Sequence, residues 1–177
     1  MKTSIDPADV IALIPAAGFG TRFPRQDKGS HGSKEVFVLG KDANSEPVLL
    51  IDNLLRHLRK GGVCKAVMIN RAEKEDISAV LGDGTSRGLD IEYLITSPTP
   101  SSPHTLDVAY TRVRSTAVLL GSADIVFEAN SAVTKLLTAL GWEDVDLVLG
   151  LTPTMSPERV DVVVRDGTTV RKLVIKP

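Results

Sequence analysis

Residues Val10-Ile11-Ala12-Leu13-Ile14 form an unbroken apolar run, and Pro15 closes it. A run with no polar alternation suits a strand buried on both faces, a situation found almost only in parallel sheets covered by helices on each side. Proline has no N–H to give to a ladder, so the chain leaves the sheet there. Small residues come next: Ala16, Ala17, Gly18 and, one residue on, Gly20. They let the backbone approach a ligand closely, and the glycines can take positive φ, so successive N–H groups can converge on phosphate oxygens. Arg22 adds a planar fork of donors matched to the same oxygens. The segment reads as a phosphate-handling turn at the end of a parallel strand.

Two familiar glycine motifs do not fit. A dinucleotide fingerprint needs a third glycine for close helix–strand packing, and Phe23 stands in that place. A Walker A loop ends in Gly-Lys-Ser/Thr, whereas Lys28-Gly29-Ser30 has the wrong order.

The rest of the chain alternates strand-like and helix-like stretches, the pattern of βαβ crossovers. Helical spacing of Leu50, Leu54, Leu55 and Leu58 predicts a helix over 48–60, stopped by Gly61-Gly62. Further helices are expected over 72–81, 104–113 and 131–140, and strands over 63–70, 90–96, 117–121 and 145–151, with 117–121 of central character. Asp166-Gly167 between 160–165 and 169–175 signals an antiparallel hairpin late in the chain. The stretches 23–33 and 97–103 read as loops, the second because its three prolines exclude helix and central strand. Both come after strands and so should lie at the carboxyl edge, where open α/β sheets bind ligands.

With 177 residues and 42% hydrophobic content, the expectation is one globular domain over 1–177. A formal net charge of −1 gives no basic excess to steer the protein to nucleic acid or a membrane. Cys64 is the only cysteine, which excludes an internal disulfide, and it reads as a small buried residue on a strand. The first residues carry Asp6 and Pro7 where a signal peptide needs an apolar stretch, so a cytoplasmic protein is expected.

Ala16-Ala17-Gly18-Phe19-Gly20-Thr21-Arg22, with Lys34-Glu35 downstream, resembles the signature of the sugar-1-phosphate nucleotidyltransferases, nearest the glucose-1-phosphate uridylyl- and thymidylyltransferases. Glu46-Pro47-Val48-Leu49-Leu50 is similar to that family's segment entering its first long helix. Val160–Val164 with Asp166-Gly167, then Val174-Ile175-Lys176-Pro177, resembles its strand, Asp-Gly turn and terminal Lys-Pro element. The resemblance implies an α/β, Rossmann-like three-layer sandwich, mainly parallel with late antiparallel strands, of the nucleotide-diphospho-sugar transferase type. It also implies a magnesium-dependent transfer of a nucleotidyl group from a nucleoside triphosphate to a sugar 1-phosphate. Because the family continues past the Lys-Pro element, the chain is expected to be a catalytic core lacking a C-terminal portion. Homo-oligomerisation is left open.

Carried over onto this sequence, Ala16, Ala17, Gly18, Gly20 and Thr21 cradle the triphosphate, and Arg22 holds the departing pyrophosphate. Lys34 reaches the α-phosphate, with Lys28 as its rival. Thr105 lies in the segment similar to the one that binds the base, and Lys176 matches the lysine that contacts the sugar phosphate. Asp124 takes the place of the family's metal-binding aspartate. In that family the aspartate follows the glycine directly, whereas here Ser122-Ala123 intervenes; Glu128 is the backup ligand. His104 reads as a structural residue at a helix start, and Trp142 as packing for a helix end. Two other functions stay open: a non-catalytic module that binds nucleotide or sugar phosphate, and a cytidylyl- or guanylyltransferase for a non-sugar acceptor.

Overall fold

The computed structural model describes residues 5–19 and 32–175. Gly20, Thr21, Arg22, Lys28 and Lys176 lie outside these residues. The chain divides into two compact units, Met1–Val145 and Asp146–Pro177.

The larger unit is built on a four-stranded parallel sheet of β1 (Ile11–Pro15), β4 (Lys65–Asn70), β5 (Asp90–Ile95) and β6 (Val118–Leu120), in the order β5-β4-β1-β6. The apolar run at the start of the chain thus forms an interior strand. Alternate side chains go to opposite faces. Ala12 and Ile14 of β1 with Ala66 and Met68 of β4 join one core, whereas Leu13, Val67 and Ile69 join another. The first core is covered by α1 (Asp52–Lys60), α2 (Glu75–Leu81) and α5 (Ala132–Leu140), through residues such as Leu54, Leu58, Ile77 and Leu137. The second lies under Leu106, Ala109 and Val113 of α3 (Ser102–Asp107), α4 (Tyr110–Val113) and the link between them. Each fully buried leucine or isoleucine contributes about 1.5–3 kcal/mol of hydrophobic stabilisation. The result is the three-layer α/β sandwich that the resemblance implies.

Several elements depart from the sequence reading. The helix expected from residue 48 begins at Asp52, because Pro47–Leu49 (β3) pairs antiparallel with Val38–Lys41 (β2). Asp52 fixes the changeover: its Oδ2 accepts from the Leu49 N–H at 2.8 Å, and its Oδ1 accepts from Arg87 Nε at 2.8 Å. The helix expected over 104–113 is two short ones, and it starts earlier, at Ser102. Pro103 is tolerated there because a first-turn N–H has no helical partner in any case. The strand at 117–121, read as central, lies at the sheet's edge as β6, where Leu119 joins the core while Val118 and Leu120 are exposed. Residues 145–151 form no strand; their apolar pattern has no ladder to join. Cys64 is exposed just before β4 rather than buried within it. Trp142 lies two residues past the end of α5, half exposed, its backbone N–H donating to the Ala139 carbonyl at 3.1 Å.

The smaller unit holds the hairpin that Asp166-Gly167 signals, β7 (Val162–Asp166) against β8 (Thr169–Val174), with Gly167 at φ 56°. Among the described residues no helix is long and apolar enough to cross a membrane.

Two glycines of the larger unit differ in what surrounds them. A Cβ on Gly61, at the end of α1, would lie 2.6 Å from the Val133 Cβ of α5, whereas one on Gly18 would meet nothing within 4 Å among the described residues. Gly61→Ala should therefore cost about 1–3 kcal/mol through overpacking, and Gly18→Ala should stay within about 0.5 kcal/mol. Urea denaturation of the two variants checks the contrast.

Candidate functional site

The strand order places a topological switch at β1. The chain runs outward from β1 to β4 and β5, then returns to the other side of β1 as β6. In such sheets the crevice outside the carboxyl ends of the two strands flanking the switch is the usual ligand site. Two predicted segments leave the sheet there, Ala16–Phe19 after β1 and Gly121–Asp124 after β6.

Ala16 is buried, Ala17 half-buried, and Gly18 and Phe19 are exposed. Gly18 does not use a positive φ. Among the described residues no heavy atom lies within 4 Å of where a Cβ on it would stand. Ala16 is held twice: its N–H donates to the Ile69 carbonyl at 2.8 Å, and its carbonyl accepts from Lys74 Nζ at 2.6 Å. Lys74 Nζ also lies 3.0 Å from both carboxylate oxygens of Glu35. Lys74 and Glu35 are 6% and 1% exposed, so this ion pair is desolvated and its geometry is correspondingly demanding.

Glu35 sits beside Lys34 in a short 3-10 turn. Ser33, directly before, donates from its backbone N–H and its hydroxyl to the Asp76 carboxylate in the first turn of α2. Lys34 is thereby aimed at the sheet edge, where its Nζ donates to Asp124 Oδ2. The Ser122 hydroxyl donates to Asp124 Oδ1. Partial burial pushes the Asp124 carboxyl up, but the hydrogen bonds from Lys34 and Ser122, together with the Lys34 charge, outweigh it and hold it below the usual 3.8. The structure thus brings together the lysine and the aspartate singled out separately in the sequence.

The segment carrying Asp124 is fixed at both ends. The Gly121 N–H donates to the Leu13 carbonyl at 3.1 Å. Further on, the Asn53 side chain of α1 accepts from the Phe127 N–H at 3.1 Å and donates to the Phe127 carbonyl at 3.0 Å. That carbonyl also accepts from His57 Nε2 at 2.9 Å, and the His57 and Phe127 rings stack at 4.3 Å. Glu128 is next in the chain, and exposed.

Thr105 is buried, and its hydroxyl is engaged with the proline loop, pairing with the Thr99 hydroxyl and reaching the Ser101 carbonyl at 3.4 Å. His104 Nδ1 lies 2.8 Å from the Ser101 hydroxyl at the same helix start.

Sequence reasoning missed Glu35–Lys74, Asn53–His57, and Arg71, which directly follows β4 at the same sheet edge. The Arg71 guanidinium carbon lies 3.9 Å from the centre of the Phe19 ring. Its Nε is buried with no hydrogen-bond partner among the described residues, as is Asn70 Oδ1 beside it. The signal for Arg71 was available: a polar pair, Asn70-Arg71, ends an apolar strand at the edge where ligands bind. Lys74 gave none, because a lysine opening a helix reads as solvated.

Magnesium takes one or two carboxylates together with water and substrate phosphate oxygens. A single Asp124 carboxylate at the switch point fits that donor set. Among the described residues no three His, Cys, Asp or Glu side chains converge into an all-protein cage.

No protein-family profile and no curated protein sequence matches this chain. Solved structures do. One is a protein assigned as a glucose-1-phosphate thymidylyltransferase from Bacillus anthracis, in complex with a sucrose, with a TM-score of 0.74 at 17% identity, covering 95% of this chain. Another is a UDP-glucose pyrophosphorylase complexed with UDP-glucose, with a TM-score of 0.69 at 14% identity, covering 94% of this chain. The chain spans 65% of the first protein's length and 69% of the second's.

Removing one partner of a desolvated ion pair strands the other, so Lys74→Met should destabilise the protein by about 3–5 kcal/mol; the double variant with Glu35→Leu should recover much of this in chemical denaturation. The contribution of Asp124 depends on pH. A carboxyl held low adds stability above its ordinary value and loses that contribution as pH falls through its value in the folded protein. Asp124→Asn should thus lower stability at neutral pH by under about 1 kcal/mol, the pair being partly exposed. The difference should vanish in acid, below the usual 3.8, as a series of melts across pH would show.

The sequence reading anticipated this architecture, and the chain has the fold of the sugar-1-phosphate nucleotidyltransferases.

Proposed function

We propose that this chain is the core of a magnesium-dependent sugar-1-phosphate nucleotidyltransferase. The observation that carries the reading is the meeting of Lys34 with Asp124 at the switch point next to the Ala16–Phe19 turn. A cation for phosphate oxygens, a carboxylate for a metal and a small-residue turn are the groups that phosphoryl-type transfer needs, since its catalysis rests on positioning and charge stabilisation rather than a protein nucleophile. The thymidylyltransferase and pyrophosphorylase structures support the reading through their shared fold.

In this reaction a phosphate oxygen of the sugar 1-phosphate attacks the α-phosphorus of the nucleoside triphosphate. A new P–O bond forms as the α–β bridging P–O bond breaks, and pyrophosphate leaves in line. The backbone of Ala16, Ala17 and Gly18, with Gly20 and Thr21 beyond the described residues, binds the triphosphate. Lys34 neutralises charge gathering at the α-phosphate, and Arg22 holds the leaving pyrophosphate. Asp124 would hold the magnesium ion, whose chemistry there is to neutralise triphosphate oxygens. Lys176 contacts the sugar phosphate, and Thr105 supports the base-side segment through the proline loop.

A second reading has one observation in its favour. Both Asp124 oxygens are engaged, one by Lys34 and one by Ser122. A carboxylate satisfied in this way suits a module that binds nucleotide or sugar phosphate without turnover.

Pyrophosphate release from each nucleoside triphosphate, tested with a panel of sugar 1-phosphates and magnesium, separates the two. Turnover with at least one pair is expected; triphosphate binding without turnover would favour the binding module. With an active pair, Asp124→Asn should abolish magnesium-dependent release. Arg22→Ala should abolish triphosphate binding while leaving the melting profile unchanged.

A further inference from the structure

The turn that would receive the triphosphate ends its described part in a side chain with no use for phosphate. Phe19 is 66% exposed, on the residue directly after Gly18. Isolated surface aromatics are common and need no explanation. This ring differs in being held: the guanidinium of Arg71 lies over it, 3.9 Å from its centre. Arg71 itself is only 9% exposed, its Nε has no hydrogen-bond partner among the described residues, and Glu73 Oε2 lies 3.7 Å from that nitrogen. A buried arginine normally spends its fork on carboxylates or carbonyls. Here its flat face is committed to an exposed ring. Such stacking fixes the plane of that ring while leaving much of its surface open.

We infer that the open surface of Phe19, backed by Arg71, is the platform on which the nucleobase stacks. This rests on the nucleotidyltransferase reading and specifies which side chain meets the base. An apolar ring offers phosphate nothing but stacks on any base, since every base has a π-face. Its position fits as well: on the same turn, Ala16–Gly18 offer backbone to the phosphates, so a base attached to those phosphates lies within reach of the next side chain. Arg71 is a positioning residue, acting through the ring it holds.

The test compares nucleoside triphosphates with inorganic tripolyphosphate, which has the phosphates and no base, by titration calorimetry. Phe19→Ala should weaken every nucleoside triphosphate about tenfold or more and leave tripolyphosphate within about twofold of the unsubstituted protein. Phe19→Trp should retain or tighten nucleotide binding. Arg71→Met should weaken nucleotides by less than Phe19→Ala does, again sparing tripolyphosphate. Equal weakening of both ligands by Phe19→Ala, or of neither, overturns the platform. Weakening of tripolyphosphate by Arg71→Met would make Arg71 a phosphate ligand and overturn its backing role. If the unsubstituted protein binds neither ligand, the nucleotidyltransferase reading fails and the platform falls with it; if it binds both, only the platform is at issue.

Discussion

The buried contact of Lys74 with Glu35 and the Ala16 carbonyl is the interaction on which the geometry of the site depends. It joins three stretches that are distant in sequence: the end of β1, the 3-10 turn carrying Lys34, and the entry to α2. Past the Ala16 N–H, which still bonds to the Ile69 carbonyl of β4, no ladder bond among the described residues holds the turn. An ammonium group shared between a carbonyl and a carboxylate does hold it. Because the ions are desolvated, the pair persists only if every donor and acceptor is met, and Lys74 meets that demand with three short contacts. The arrangement specifies a position more than it adds stability.

From that anchor the polar groups of the edge are placed in order. Glu35 is tied to Lys74, so its neighbour Lys34 is directed toward the crevice. Ser33 is tied to Asp76, which prevents the same turn from rotating. On the other side of β1 the segment carrying Asp124 is tied to β1 through Gly121 and to α1 through Phe127. The two charged side chains meet because each is carried by backbone fixed at two points.

The fold was legible in the sequence where one local rule decided the outcome. The run from Val10 to Ile14 had to be an interior strand, and the Asp166-Gly167 turn had to close a hairpin. It was illegible where pairing decided. Residues 145–151 have the apolar pattern of a strand and join no ladder, and Pro47–Leu49 has helix-like neighbours yet pairs with β2. The central character expected of β6 failed for a similar reason, since apolar composition says a strand is covered without saying on how many sides. At the site, Lys34 and Asp124 were legible as residue types in a pattern. Their mutual contact was not, because it spans most of the larger unit. The buried Lys74–Glu35 pair was hidden because a charged residue reads as solvated until its partner is known.

Asp124 stands three residues past Gly121, and the strand end alone does not set where its carboxylate lies. Instead the segment is fixed at Phe127, whose N–H and carbonyl are both held by Asn53 and whose carbonyl also takes His57. Between Gly121 and Phe127, Ala123 is buried in the core, and Ser122 turns its hydroxyl onto Asp124. Where the carboxylate stands is thus decided by α1 as much as by β6, and the count of residues after the strand is a weaker guide to function than the two points that hold the loop.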